Sequence, residues 1–113
     1  MGELVNVADY ERLAAERLDA GALGYFAGGA GDERTLRRNV EAFREWELIP
    51  RVLVDVSAVD AGVELFGDRL SMPLAVAPVA FQRLAHEDGE EGMARAAGAA
   101  GTAMCLSTIA TAR

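Results

Sequence analysis

The sequence predicts an α/β protein in which helices come first, a small β-hairpin follows and one strand–helix–strand unit comes last. Three observations carry this reading. Apolar residues recur at helical spacing before Trp46, two short runs meet at Gly67-Asp68, and two compact apolar runs, Leu74–Ala77 and Thr102–Leu106, flank an alanine-rich stretch.

Asn6 can cap a first helix whose Tyr10, Leu13, Ala14 and Leu18 share a face, with Gly21 placed to end it. A second, shorter helical segment through Leu23, Tyr25 and Phe26 runs into Gly28-Gly29, where glycines in left-handed conformations are expected. Asp32 reads as the cap of a third helix: Leu36, Val40 and Phe43 repeat at helical spacing, and Asp32 and Glu33 suit its positive end. Arg37, Arg38, Glu41 and Arg44 form its wet face. After Trp46 the pattern changes, because Pro50 breaks a helix and Val52, Leu53, Val54 and Val56 favour extended backbone. Val63 to Phe66 and Arg69 to Met72, joined across Gly67-Asp68, make a hairpin.

Leu74-Ala75-Val76-Ala77 is wholly apolar, as in a parallel strand covered on both faces. Glu90 to Ala100 is alanine-rich with acids at its start, and Gly101 sits where a helix C-cap belongs. Thr102 to Leu106 supplies a second strand, so residues 73–113 form one βαβ unit. Two parallel strands with one helix leave most edges and faces uncovered, and the expectation is that the remainder of the sheet lies beyond Arg113.

The net charge is −7, and all 11 positive side chains are arginine. That balance argues against nucleic acid and against an anionic membrane surface, and no apolar run approaches the roughly 20 residues a spanning helix needs. The start of the chain lacks the basic and apolar regions of a secretory signal, so the expected location is cytoplasmic. Cys105, the single cysteine, lies in an apolar run and is expected to be an inert buried side chain. No set of His, Cys or acidic residues has metal-site spacing.

In parallel α/β folds ligands gather at the carboxyl ends of strands. Two places qualify: Pro78-Val79-Ala80 after the first run, and Ser107-Thr108 after the second. Small residues let backbone approach a flat ligand and a serine adds a hydroxyl, though each segment alone also reads as an ordinary loop start. The glycines of Tyr25-Phe26-Ala27-Gly28-Gly29-Ala30-Gly31 are not a phosphate loop, since no strand precedes them and no Gly-Lys-Ser/Thr follows. Tyr25 reads either as packed against the third helix or as reaching a carboxylate with its phenol. His86, the only histidine, stands beside Glu87, Asp88 and Glu90, which favours a solvated loop leading into a helix over a general base.

These residues together resemble the FMN-dependent 2-hydroxy-acid oxidases and dehydrogenases, the family of glycolate oxidase, lactate oxidase and mandelate dehydrogenase. The matching segments are Tyr25 to Ala30 with Thr35, Asn39 and Phe43; Pro50-Arg51; Leu53 to Val56; Ser71-Met72-Pro73; Ala77-Pro78; His86 to Glu90; Ala94 to Ala97; and Leu106-Ser107. The resemblance implies that residues 1–113 are the N-terminal part of one FMN hydroxy-acid dehydrogenase domain with a (βα)₈ TIM-barrel fold. Residues 1–72 would be its N-terminal helices and barrel-bottom hairpin, and 73–113 the first βαβ unit. It further implies FMN as cofactor, a small-molecule 2-hydroxy acid as substrate and a homo-oligomeric full-length protein. The hydroxyl of Tyr25 would hold the substrate carboxylate. The backbone of Pro78, Val79 and Ala80 would lie against the flavin ring, to which Ser107 would hydrogen-bond. The family's base histidine, its second carboxylate-binding group, an arginine, and the lysine that stabilises reduced flavin are expected beyond Arg113.

Two departures stand out. Val79 replaces a threonine found in many relatives, a change that a backbone contact tolerates. Ile109 occupies a position where glycolate-oxidising relatives carry an aromatic, which points to lactate or a longer 2-hydroxy acid. The alternatives are a non-catalytic fragment or assembly module without flavin and, more weakly, another flavin-barrel enzyme such as an isomerase.

Overall fold

Asn6 opens the first helix as its sequence position suggests. In the computed structural model, which describes residues 3–112, its side-chain oxygen accepts from the Asp9 N–H at 2.9 Å. This helix, α1 (Val7–Ala15), is shorter than the periodicity implies: its C-cap is Glu16, and Leu18 and Gly21 lie beyond it. The reason is Asp19. Its carboxylate accepts from the N–H groups of Gly21 at 2.8 Å and Ala22 at 3.0 Å, starting α2 (Ala20–Ala27) where the sequence had suggested a helix end.

The glycines after α2 correct a second expectation. Gly28 is extended, with φ −76° and ψ 152°, and the left-handed glycine of this segment is Gly31. Gly28 is required by proximity instead, because a Cβ there would stand 2.6 Å from the Gly24 carbonyl oxygen. The third helix, α3 (Arg34–Glu41), is preceded by Glu33 in a left-handed conformation and not capped by Asp32. The Glu33 carboxylate reaches back to accept from the Gly29 N–H at 3.1 Å, tying the glycine turn to the helix start. A 3₁₀ turn, Ala42–Glu45, continues from α3. These elements belong to one compact unit, Met1–Val52; a second comprises Leu53–Arg113.

Residues 52–56 form no strand. Leu53 takes a positive φ of 60°, and the Asp55 carboxylate accepts from the Ser57 N–H at 2.9 Å, so local turn bonds replace a ladder. The hairpin is present one residue earlier than its glycine suggests: β1 (Val63–Leu65) pairs antiparallel with β2 (Asp68–Leu70), Leu65 opposite Asp68. Its turn is Phe66-Gly67, both at positive φ, the geometry that matches strand twist in a two-residue loop.

Next come β3 (Ala75–Val76), α4 (Gly89–Ala99) and β4 (Ala103–Met104), with a 3₁₀ turn at Gln82–Leu84 between β3 and α4. The strands are shorter than the apolar runs, but β3 and β4 pair in parallel with Ala75 opposite Ala103 and Val76 opposite Met104. Gly101 closes α4 as predicted. At φ +67° it lets its own N–H reach the Gly98 carbonyl and the Thr102 N–H reach the Ala97 carbonyl, both at 3.0 Å. Among the described residues the buried apolar side chains are few: Ala22 in the first unit, and Leu70, Ala80 and Ala97 in the second. Ala75 is exposed and Val76 half-buried, so the strand faces are not covered within this chain.

Candidate active site

Parallel pairing has one consequence for function: both strands deliver their carboxyl ends to the same edge of the sheet. The Cys105 N–H donates to the Val76 carbonyl at 2.9 Å, and directly beyond that bond the chain leaves β3 toward Pro78-Val79-Ala80 and β4 toward Ser107. Pro78 and Val79 are exposed while Ala80 is buried, so Ala80 anchors the turn. The Ser107 hydroxyl oxygen accepts from the Ile109 N–H at 3.3 Å. That bond uses a lone pair and leaves the hydroxyl hydrogen available to donate.

The two turns are tied together by Glu90, which sequence reasoning had placed on a solvated surface. Only 2% of its surface is exposed. Oε1 accepts from the N–H of Gln82 at 3.1 Å and of Thr111 at 2.9 Å; Oε2 accepts from the Thr111 hydroxyl at 2.5 Å and the Ala112 N–H at 3.2 Å. One carboxylate in the first turn of α4 therefore holds residues on both strand-exit segments. Burial is the largest single influence on its pKa and would raise it. The bonds from Thr111, its own backbone amide and Gln82 outweigh that together and lower it from 4.5 to about 2. Gln82 passes the restraint on, donating through Nε2 to the Val79 carbonyl at 3.3 Å.

The acids around Glu90 behave as the sequence suggested. Glu91 is exposed and pairs with Arg83 at 3.2 Å, and Arg95 approaches Asp88 at 3.5 Å. His86 is exposed, and its Nδ1 accepts from the Asp88 N–H at 3.2 Å, which occupies it in shaping the loop. Cys105 is exposed, contrary to expectation, because it follows a strand whose outer faces this chain does not cover. Ile109 is 53% exposed on the turn that carries Ser107. Tyr25 belongs to the first compact unit, on α2, 49% exposed and edge-on to Phe26 with ring centroids 5.2 Å apart. The structure thus brings Pro78, Val79 and Ala80 to the same sheet edge as Ser107, with Tyr25 on the other unit. Among the described residues no helix is long and apolar enough to cross a membrane, and no group of three or more His, Cys, Asp or Glu is arranged to hold a metal.

An α/β unit that presents two small-residue turns and a hydroxyl at the carboxyl ends of adjacent parallel strands has the layout of a ligand-binding α/β enzyme. The particular family follows from comparison with known proteins: the chain belongs to the FMN-dependent dehydrogenase family, which matches residues 14–113. That family is one of flavoprotein oxidoreductases that use FMN. The chain is 50% identical over 111 residues to glycolate oxidase 1 of Zea mays, covering 98% of this chain and 30% of that protein. It is 47% identical over 107 residues to an L-lactate oxidase of Nostoc sp., covering 95% of this chain and 29% of that protein. Among solved structures it resembles a mandelate oxidase with a TM-score of 0.90 at 40% identity, over 96% of this chain and 32% of that one. The chain therefore spans about 30% of the length of these relatives.

Proposed function

We propose that the chain is the N-terminal part of an FMN-dependent enzyme that oxidises an L-2-hydroxy acid to the 2-keto acid. In this reading residues 1–72 supply the helices and hairpin at the bottom of a (βα)₈ barrel, and residues 73–113 its first βαβ unit. The observation that carries it is the parallel β3–β4 pair, whose two exits place Pro78–Ala80 and Ser107 at one edge in a chain of this family.

The residues present fit a flavin. A flat, polar-rimmed ring needs backbone close to its face and donors at its edge. The Pro78–Ala80 turn exposes Pro78 and Val79 beside a buried Ala80, and Ser107 retains a hydrogen to donate. When bound, FMN supplies the two-electron acceptor for the substrate's α-carbon. Pro78, Val79 and Ala80 pack against it through their backbone, and the Ser107 hydroxyl fixes its orientation. The Tyr25 hydroxyl donates to the substrate carboxylate and orients the α-carbon. The aliphatic Ile109 shapes the pocket for lactate or a longer side chain in place of glycolate. The reading assigns the proton-accepting histidine, the arginine and the lysine to sequence following Arg113, and the full-length protein to a homo-oligomer in the cytoplasm.

The full-length protein tests this. It should purify yellow, with about one FMN per chain, and its flavin absorbance should bleach on anaerobic addition of L-lactate, faster than with glycolate. A colourless protein that takes up no FMN would favour a non-catalytic module. A flavoprotein that no 2-hydroxy acid bleaches would favour another flavin-barrel chemistry.

A further inference from the structure

We propose that Glu90 is a positioning residue for the flavin, a buried carboxylate that locks the two strand-exit segments into one surface. The inference rests on the functional reading above and deepens it, since Glu90 touches neither flavin nor substrate in that reading. Its role follows from connectivity. Left to themselves, the turns after β3 and β4 are separate loops, each free to shift on its own. Glu90 accepts from Gln82 on one side and from Thr111 and Ala112 on the other, with Oε1 shared between the two. Gln82 hands the restraint to the Val79 carbonyl at 3.3 Å, within the turn assigned to the flavin face. On the other side Thr111 lies four residues from Ser107, and its hydroxyl also accepts from the Arg83 N–H at 3.3 Å, closing a second link between the segments.

A charged, acceptor-only group suits this task. Four N–H and O–H groups from both segments converge on two oxygens, and only a carboxylate can accept from all of them at once. An amide would place its NH₂ against the Ala112 N–H, losing that bond, or against the Gln82 and Thr111 N–H groups, releasing the first segment, so neither orientation keeps all four bonds. Aspartate is one methylene too short to span both. The donors are backbone groups apart from the Thr111 hydroxyl, so the clamp fixes main-chain position, which is what contact with a ring face requires.

The test uses the full-length holoenzyme with Glu90→Gln and the milder Thr111→Val. FMN affinity is read by titrating apoprotein with FMN, and the environment of the bound ring by visible circular dichroism at saturating FMN. Glu90→Gln should weaken FMN about tenfold or more and alter the visible dichroism of the saturated protein; Thr111→Val should move both in the same direction by less. A merely stabilising role would lower the melting temperature and leave the dichroism of the saturated protein as in wild type, and that result would overturn the proposal. Should Glu90→Gln fail to fold, amide exchange in the wild-type protein decides. The N–H groups of Gln82, Thr111 and Ala112 should be protected together and slow further in concert when FMN is added; independent responses in the two segments would overturn the clamp. A wild-type protein that binds no FMN would instead remove the functional reading and leave the hydrogen-bonded carboxylate standing as a structural feature.

Discussion

Replacing Gly101 by alanine should destabilise the full-length protein by about 2 to 3 kcal/mol, and the sum has two separable parts. Gly101 follows α4 at φ +67°, a conformation that costs a residue with a Cβ roughly 1 to 2 kcal/mol. The new Cβ would also stand 2.9 Å from the Ser71 Oγ and 3.0 Å from the Ser71 Cβ. Ser71 cannot simply retreat, because its hydroxyl donates to the Ala100 carbonyl at 2.6 Å and its N–H to the Gly101 carbonyl at 2.8 Å. Loosening one of these costs about 1 kcal/mol more. The assay is the urea midpoint at unchanged m-value, measured for Gly101→Ala in the wild-type background and again in Ser71→Gly, which removes both close contacts. In the second background the cost should fall to the backbone part alone. A change below about 0.5 kcal/mol in wild type, or an equal cost in both backgrounds, would mean that the positive φ or the Ser71 contacts do not set the cost.

Three further outcomes follow from named contacts. Asp19→Ala removes a cap that accepts from two N–H groups and should cost about 1 kcal/mol in a thermal or urea melt, whereas Asp19→Asn should recover most of it. Tyr25→Phe in the full-length protein should raise KM for the hydroxy acid by an amount equivalent to about 1 to 3 kcal/mol, and unchanged steady-state kinetics would remove Tyr25 from the site. Glu90 predicts the direction of acid sensitivity. Its pKa is lowered from 4.5 to about 2 on folding, so its contribution is fully present above pH 4.5 and is lost as pH falls toward 2. Urea midpoints taken across that window should fall with pH in wild type and fall less steeply in Glu90→Gln.

What the sequence made legible was local or repetitive. Asn6 and Gly101 act on groups within a few residues, and their cap geometry is written in their own side chains or in the lack of one. The two apolar runs gave the parallel pair because a wholly apolar stretch of that length has few other uses. Boundaries failed where two residues competed for one role. Asp32 and Glu33 both suit a helix start, and the choice turned on Glu33 reaching the Gly29 N–H, which no periodicity records. Asp19 lay hidden because Gly21 looked like a stop signal while serving as the second helix's first turn. Glu90 was the largest omission: a glutamate at a helix start reads as a surface residue paired with the dipole, as Glu91 in fact is. Its donors stand eight, 21 and 22 residues away in sequence, so only the folded chain brings them together. Cys105 was misjudged because apolar character predicts burial only where a partner surface exists, and the extended backbone expected of residues 52–56 gave way to Leu53 at positive φ and the Asp55–Ser57 bond.

In the proposed enzyme, the turns leaving β3 and β4 form part of the surface on which a flavin lies. A crystal structure of the full-length protein with FMN tests it most directly. Ring density is expected in van der Waals contact with the backbone of Pro78, Val79 and Ala80, with the Ser107 Oγ within about 2.7 to 3.2 Å of a ring heteroatom. FMN seated elsewhere in the molecule, with these turns facing solvent or packed against protein alone, would contradict it.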